Sequence, residues 1–228
     1  MSGREAWKRP FDLAFLTLAS LLLFPLWLLL GLAIAAAIRL DDGGPVLFRQ
    51  ARLGRGGRVF EILKFRTMAV DAEERFGPQW AAWNDRRATR VGRVLRRFHL
   101  DELPQAVNVL RGEMSLVGPR PERPGRAARI TRSVPGFPER LTVRPGIAGL
   151  AQARGGHDIE PRDKLRYDRL YIEAMSPGLD LKLCMTCLAR ALRASPARAR
   201  RGWAARPARP AVPSDHDSAG VHGSRTGG

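Results

Sequence analysis

The chain has 228 residues, 44% of them hydrophobic, which is enough for one sizeable core with appendages and too little for two independent cores. Two cysteines exclude a disulfide scaffold. A formal charge of +17 and an isoelectric point near 11.5 imply attraction to an anion, whether nucleic acid, acidic lipid or a phosphorylated substrate.

Leu13 to Ile38 carries no charged side chain, a run of about 26 residues where roughly 20 suffice to cross a bilayer as a helix. It is too long for a cleaved signal peptide and lacks a small-residue cleavage site, so it reads as a retained anchor spanning residues 1–40. Pro25 sits near the middle and is expected to kink it. Lys8 and Arg9 precede the run, while Arg39 and a basic domain follow it, so both ends are drawn to the cytoplasmic side. A straight span satisfies one end; a helix broken at Pro25 that dips into one leaflet and returns satisfies both.

Residues 41–194 read as one α+β domain of short helices with a β-hairpin and interfacial amphipathic helices. Gly44 to Met68 alternates apolar and polar residues around Gly54-Arg55-Gly56-Gly57, the pattern of a hairpin with a glycine-rich turn. Ala69 to Asn84 is polar, with Trp80 and Trp83 suited to an interface or a small core. Arg87 to Phe98 predicts a short basic helix. In Leu100-Asp101-Glu102-Leu103-Pro104-Gln105 the proline predicts a new helix start, which sets Asp101 and Glu102 at a helix N-terminus. Gly118-Pro119-Arg120-Pro121 reads as a stiff extended stretch, and Arg144-Pro145-Gly146 as a type II turn. Asp163 to Met175 and Leu179 to Leu192 read as helices, the second packing on the core or lying on a bilayer. Cys184 and Cys187 read as packing thiols on that helix. From Ser195 to Gly228 the Arg, Pro, Gly and Ser composition, which includes His216 and His222, predicts a disordered tail.

Phosphoryl transfer needs a nucleophile, cations around the phosphate oxygens and, in most cases, a divalent metal. An aspartate at a helix start can attack phosphorus to give an acyl phosphate while backbone N–H groups bind the anion. A neighbouring carboxylate supplies a hard oxygen ligand for Mg2+. The same Asp101-Glu102 pair would also serve as an ordinary helix cap, and Arg96, Arg120 and Arg144 as surface charges. No Walker loop, Rossmann fingerprint or nucleophile elbow occurs.

Taken together, the segments from about Lys8 to Leu192 resemble the bacterial sugar transferases called polyprenyl-phosphate glycosyl-1-phosphate transferases, the small monotopic phosphoglycosyl transferases. The marks are Lys8-Arg9-Pro10-Phe11-Asp12 and Gly44-Pro45-Val46 with Phe48, Gln50 and Arg52. Lys64-Phe65-Arg66-Thr67-Met68, Leu100 to Gln105 and Asn108 to Pro121 come next. Arg144-Pro145-Gly146 with Gly149, Ala151 and Gln152 follows, then Asp168, Tyr171, Ser176 and Leu179-Asp180-Leu181.

The resemblance implies a re-entrant anchor on the cytoplasmic face of the bacterial inner membrane, with Mg2+ as cofactor. It implies that Asp101 attacks the β-phosphate of a UDP-sugar, releases UMP and passes the phosphosugar to polyprenyl (undecaprenyl) phosphate. Glu102 assists with metal or proton. Arg96, Arg120 with Pro121, Arg144, Lys64, Arg66 and Gln152 are implied as phosphate or nucleotide contacts. Such a step begins exopolysaccharide, O-antigen or glycoprotein glycan assembly and feeds downstream glycosyltransferases; nucleic acid has no part in it. Departures are Phe24 where the family often has Ser before the kinking proline, Phe98-His99 before Leu-Asp-Glu, and Ala148 where Thr is usual. The competing reading is a non-catalytic, membrane-tethered basic module for anionic lipid or nucleic acid, and a third is a catalytically dead scaffold; neither explains the Asp-Glu-Leu-Pro junction.

Overall fold

A computed structural model describes residues 6–72, 85–155 and 159–192; Trp80, Trp83 and the tail from Ser195 lie outside these. The leucine-rich anchor forms one helix, α1 (Lys8–Asp42), closed by Gly43 in the left-handed region, whose N–H donates to Arg39 O at 3.0 Å. It is long and apolar enough to cross a membrane, and Leu21, Leu22, Phe24, Leu29 and Leu32 stand exposed along its middle. The Trp27 indole N–H donates to Ala19 O at 3.3 Å, eight residues earlier. Eight residues span about 12 Å of a straight helix, beyond what an indole covers, so α1 bends across Pro25 as the proline predicts.

Both ends of α1 pack on the same domain. At the first end, Lys8 Nζ meets Asp180 at 2.6 Å and the Tyr171 hydroxyl at 2.8 Å, while Asp12 accepts from Ser115 Oγ at 3.0 Å and Leu116 N at 3.1 Å. All four partners belong to elements far along the chain. At the other end, Ile34 and Ile38 bury against Leu95, Asp41 accepts from Val91 N at 3.0 Å, and Asp42 pairs with Arg66.

The expected hairpin is present: β1 (Leu47–Leu53) and β2 (Val59–Phe65) pair antiparallel, Leu47 opposite Phe65 and Leu53 opposite Val59. Gly56 and Gly57 take φ of 65° and 78° in its turn, where a side chain would be strained. Phe60, Ile62 and Leu63 face inward from β2. The basic helix, α2 (Arg90–Arg97), begins where Thr89 Oγ1 accepts from Gly92 N at 2.9 Å, a cap the sequence reading passed over. A 3₁₀ turn (Leu100–Glu102) precedes α3 (Gln105–Arg111), which ends at Gly112 with φ 80°.

β3 (Ser115–Val117) pairs in parallel with β4 (Gly146–Ala148), and Val109, Met114, Val117, Tyr171 and Leu183 form the core around them. Between these strands lie α4 (Pro124–Ser133) and a 3₁₀ segment (Phe137–Thr142). Last come α5 (Leu150–Gly155), α6 (Pro161–Ala174) and α7 (Pro177–Leu192). The last two helices start two residues earlier than expected because Pro161 and Pro177 occupy first-turn positions that need no N–H. Cys184 and Cys187 are free thiols packed against the core, and burial pushes Cys184 up to about 12, as inert packing groups require.

The helix start expected near Pro104 is present: α3 begins at Gln105, and Asp101 and Glu102 sit in the 3₁₀ turn that leads into it. One local expectation is corrected. Arg144-Pro145-Gly146 is no type II turn: Gly146 has no positive φ and pairs as a strand residue with Ser115. It is glycine because a Cβ there would collide with the backbone N of Gly118.

Candidate active site

The two carboxylates are delivered by a strained approach. His99, immediately before the 3₁₀ turn, adopts φ 54° and ψ 22°, the one positive φ at a non-glycine position among the described residues. Such a conformation disfavours an L side chain and persists only where surrounding structure enforces it. It turns the chain so that Asp101 enters the protein, leaving it 7% exposed.

Three cations from separate elements surround the pair. Lys64, near the end of β2, places Nζ 2.9 Å from Glu102 Oε1 and 4.0 Å from Asp101 Oδ2. Arg120, in the extended segment after β3, grips Glu102 with both terminal nitrogens, the Nη1–Oε2 contact being 3.2 Å. Arg96, in the last turn of α2, donates from Nε to Thr67 Oγ1 at 3.0 Å and is electrostatically attracted to Asp101.

Burial raises the pKa of Asp101 above the ordinary carboxylate range; Lys64 opposes the rise and Glu102 adds to it. Burial pulls Lys64 down, with Glu102 holding it up. For Arg120 burial also acts downward, but Glu102 outweighs it and the guanidinium is raised. The arrangement sets a Glu102 paired with two cations beside an Asp101 that is harder to ionise. Asp101 Oδ1 is buried and has no hydrogen-bond partner among the described residues. A buried carboxylate oxygen left unpaired is costly unless a ligand completes it.

The other expected contact residues have partners of their own. Arg66 pairs with Asp42 and donates to Pro45 O at 2.6 Å, so it fastens the end of α1. Arg144 donates from Nε to Gly112 O at 3.1 Å and acts electrostatically on Asp12, at the other end of α1. Gln152 donates to Ile147 O at 2.9 Å, its own Oε1 buried without a partner. Pro121 contributes its carbonyl, which accepts from Arg52 Nη1 at 3.1 Å.

Sequence reasoning gave no role to Arg52, Arg140 or Gln105. Arg52 had a signal, because Gln50 and Arg52 share a strand face two residues apart and do bond at 2.6 Å. Gln105 is fully buried with neither amide atom hydrogen-bonded among the described residues, which no local pattern announces. A groove of about 560 Å³ between Val134–Gly136 and α6 is lined by Arg162, Arg166 and Arg169 and shares no residue with the carboxylate cluster.

Among the described residues no three His, Cys, Asp or Glu side chains converge on a metal site. Mg2+ asks for less, binding through one or two carboxylates plus substrate phosphate and water. The open Asp101 Oδ1 fits that requirement, whereas both Glu102 oxygens already face Lys64 or Arg120.

Fold and site together describe an α+β unit carried on one long apolar helix, with a buried carboxylate pair ringed by cations. The chain belongs to the bacterial sugar transferase family, whose model matches residues 3–194. It is 44% identical over 177 residues to the UDP-N-acetylgalactosamine-undecaprenyl-phosphate N-acetylgalactosaminephosphotransferase of Aeromonas hydrophila, covering 76% of this chain and 41% of that protein. To the UDP-glucose:undecaprenyl-phosphate glucose-1-phosphate transferase of Caulobacter vibrioides it is 43% identical, covering 78% of this chain and 67% of the relative. To the exopolysaccharide production protein PSS of Rhizobium leguminosarum it is 39% identical, covering 77% of this chain and 90% of the relative. The chain thus spans well under half the length of the Aeromonas relative and most of the Rhizobium one.

Proposed function

We propose that this chain transfers a sugar-1-phosphate from a UDP-sugar to undecaprenyl phosphate at the cytoplasmic face of the bacterial inner membrane, as the first membrane step of glycan assembly. The observation that carries the reading is the buried, unpaired Oδ1 of Asp101 beside a Glu102 already neutralised by Lys64 and Arg120. The names of the relatives, which specify UDP-sugars and undecaprenyl phosphate, support the substrate class.

In the first half-reaction an Asp101 carboxylate oxygen bonds to the β-phosphorus as the bond to UMP breaks, and UMP leaves with that electron pair. In the second, a phosphate oxygen of undecaprenyl phosphate attacks the same phosphorus, the Asp101 ester bond breaks, and the diphosphate-linked sugar departs with the carboxylate regenerated. Lys64, Arg96 and Arg120 bring positive charge to the phosphoryl oxygens in a largely buried site. Mg2+, held by Asp101 with substrate phosphate, would neutralise charge that builds on the leaving group.

The anchor is read as re-entrant. Its support is the packing of both ends of α1 on one domain, the bend marked by Trp27 and Ala19, and the positive residues at both ends. Purified full-length chain in lipid, given UDP-sugars and undecaprenyl phosphate, is expected to release UMP, and Asp101→Asn to release none while inserting normally. Wild-type turnover in that variant, or a phosphosugar adduct mapped by mass spectrometry to another residue, would sink the proposal. Affinity for nucleic acid that falls steeply with salt, without turnover, would instead favour a basic binding module.

A further inference from the structure

Arg120 lies between two prolines, so Pro119 and Pro121 offer no N–H by which the segment can be fixed. Its carbonyls are held instead, four in succession. Gly146 N donates to Pro119 O at 3.0 Å, Arg140 Nη2 to Arg120 O at 2.7 Å, Arg52 Nη1 to Pro121 O at 3.1 Å, and Leu53 N to Glu122 O at 2.9 Å. The donors come from β4, from the 3₁₀ segment Phe137–Thr142 and from β1, so three separate elements set the height and rotation of one short strap.

Two of the four donors are guanidinium groups, each oriented by a further side chain. Arg140 is buried and donates from Nε to Asp168 at 2.8 Å. Arg52 donates from Nη2 to Gln50 Oε1 at 2.6 Å. Arg52 forms no ion pair with a carboxylate among the described residues, and it lies close enough to Arg120 for their charges to repel. Burial lowers its pKa to about 10, so it stays charged at neutral pH. This half-buried guanidinium lies among Arg120, Arg123 and Arg126, is drawn by Glu122, and bonds to the carbonyl that follows Arg120.

We propose that Arg52 and Arg140 are positioning residues that fix Arg120, and through it Glu102, for phosphoryl transfer. This rests on the function proposed above. Misplacement of a phosphate-facing group by about 1 Å costs up to about a hundredfold in rate. Arg52, the less buried of the two, is the one to vary.

The test is UMP release by the full-length chain in lipid with a UDP-sugar and undecaprenyl phosphate, for wild type, Arg52→Gln, Arg52→Lys, Arg120→Gln and the Arg52→Gln/Arg120→Gln double variant. Arg52→Gln is expected to lower kcat/KM roughly ten- to a hundredfold in the wild-type background and less than about twofold in the Arg120→Gln background. Arg52→Lys should recover part of the loss, since an ammonium group reaches one acceptor without the fork that joins two. Rates are normalised to folded protein, so a loss of stability alone registers as no change per folded molecule and overturns the inference. Equal losses in both backgrounds, or none in either, overturn it as well while leaving the transferase reading intact. A wild type that releases no UMP from any UDP-sugar overturns both.

Discussion

Replacing Asp180 by alanine tests the junction between anchor and domain. Lys8 and Asp180 are 1% and 0% exposed at the side chain and 2.6 Å apart, with the Tyr171 hydroxyl bonded to both and to Val117 O at 3.1 Å. Asp180→Ala leaves a buried ammonium with a phenol as its one remaining oxygen partner. Removing half of a buried ion pair costs about 3–5 kcal/mol, a large share of the roughly 5–15 kcal/mol that holds a domain together. For a domain of this size that lowers the melting midpoint by roughly 10 °C. The double change Lys8→Met/Asp180→Leu removes both charges together and leaves Tyr171 its bond to Val117, so it should regain most of the loss. The assay is thermal unfolding in one fixed detergent, comparing wild type, both single variants and the double. A double variant as unstable as Asp180→Ala would refute the reasoning, because the penalty would then lie in lost packing and not in an abandoned charge.

Three further outcomes are expected. UMP release should decline on the acid side through a pKa above the ordinary aspartate value of about 3.9, because burial raises Asp101 and protonation would disable the proposed nucleophile. A kcat/KM profile still flat well below pH 4 would contradict that assignment. His99→Gly should melt several degrees above His99→Val, since glycine accepts φ 54° and a β-branched side chain does not; equal midpoints would show that the backbone there relaxes freely. Gly146→Ala should destabilise by more than about 2 kcal/mol in denaturant titration, the added methyl meeting the backbone at Gly118. Unchanged unfolding would mean that β3 and β4 can separate at no cost.

What was legible in the sequence followed from short-range rules. Pro25 announces the bend, the Gly56-Gly57 turn announces the hairpin, and the apolar run announces the exposed middle of α1. The carboxylate pair and its three cations, Lys64, Arg96 and Arg120, were nameable because the family resemblance contains them. What failed depended on three-dimensional neighbours. Gly146 is glycine because another strand comes too close, a reason no turn rule contains. That Arg66 pairs with Asp42 and that Arg144 Nε meets Gly112 O could not be read locally either, because only the folded chain brings those acceptors near. His99 gave no sign of its left-handed backbone, because an ordinary polar residue carries none of glycine's signal.

The clasp that closes on Lys8 also dictates an order of events during synthesis. Tyr171 and Asp180 follow Lys8 by 163 and 172 positions. At roughly 5–20 residues per second, they leave the ribosome on the order of ten to thirty seconds after it. The apolar helix is therefore complete long before its own latch is translated, and its first turn is fastened only when α6 and α7 arrive.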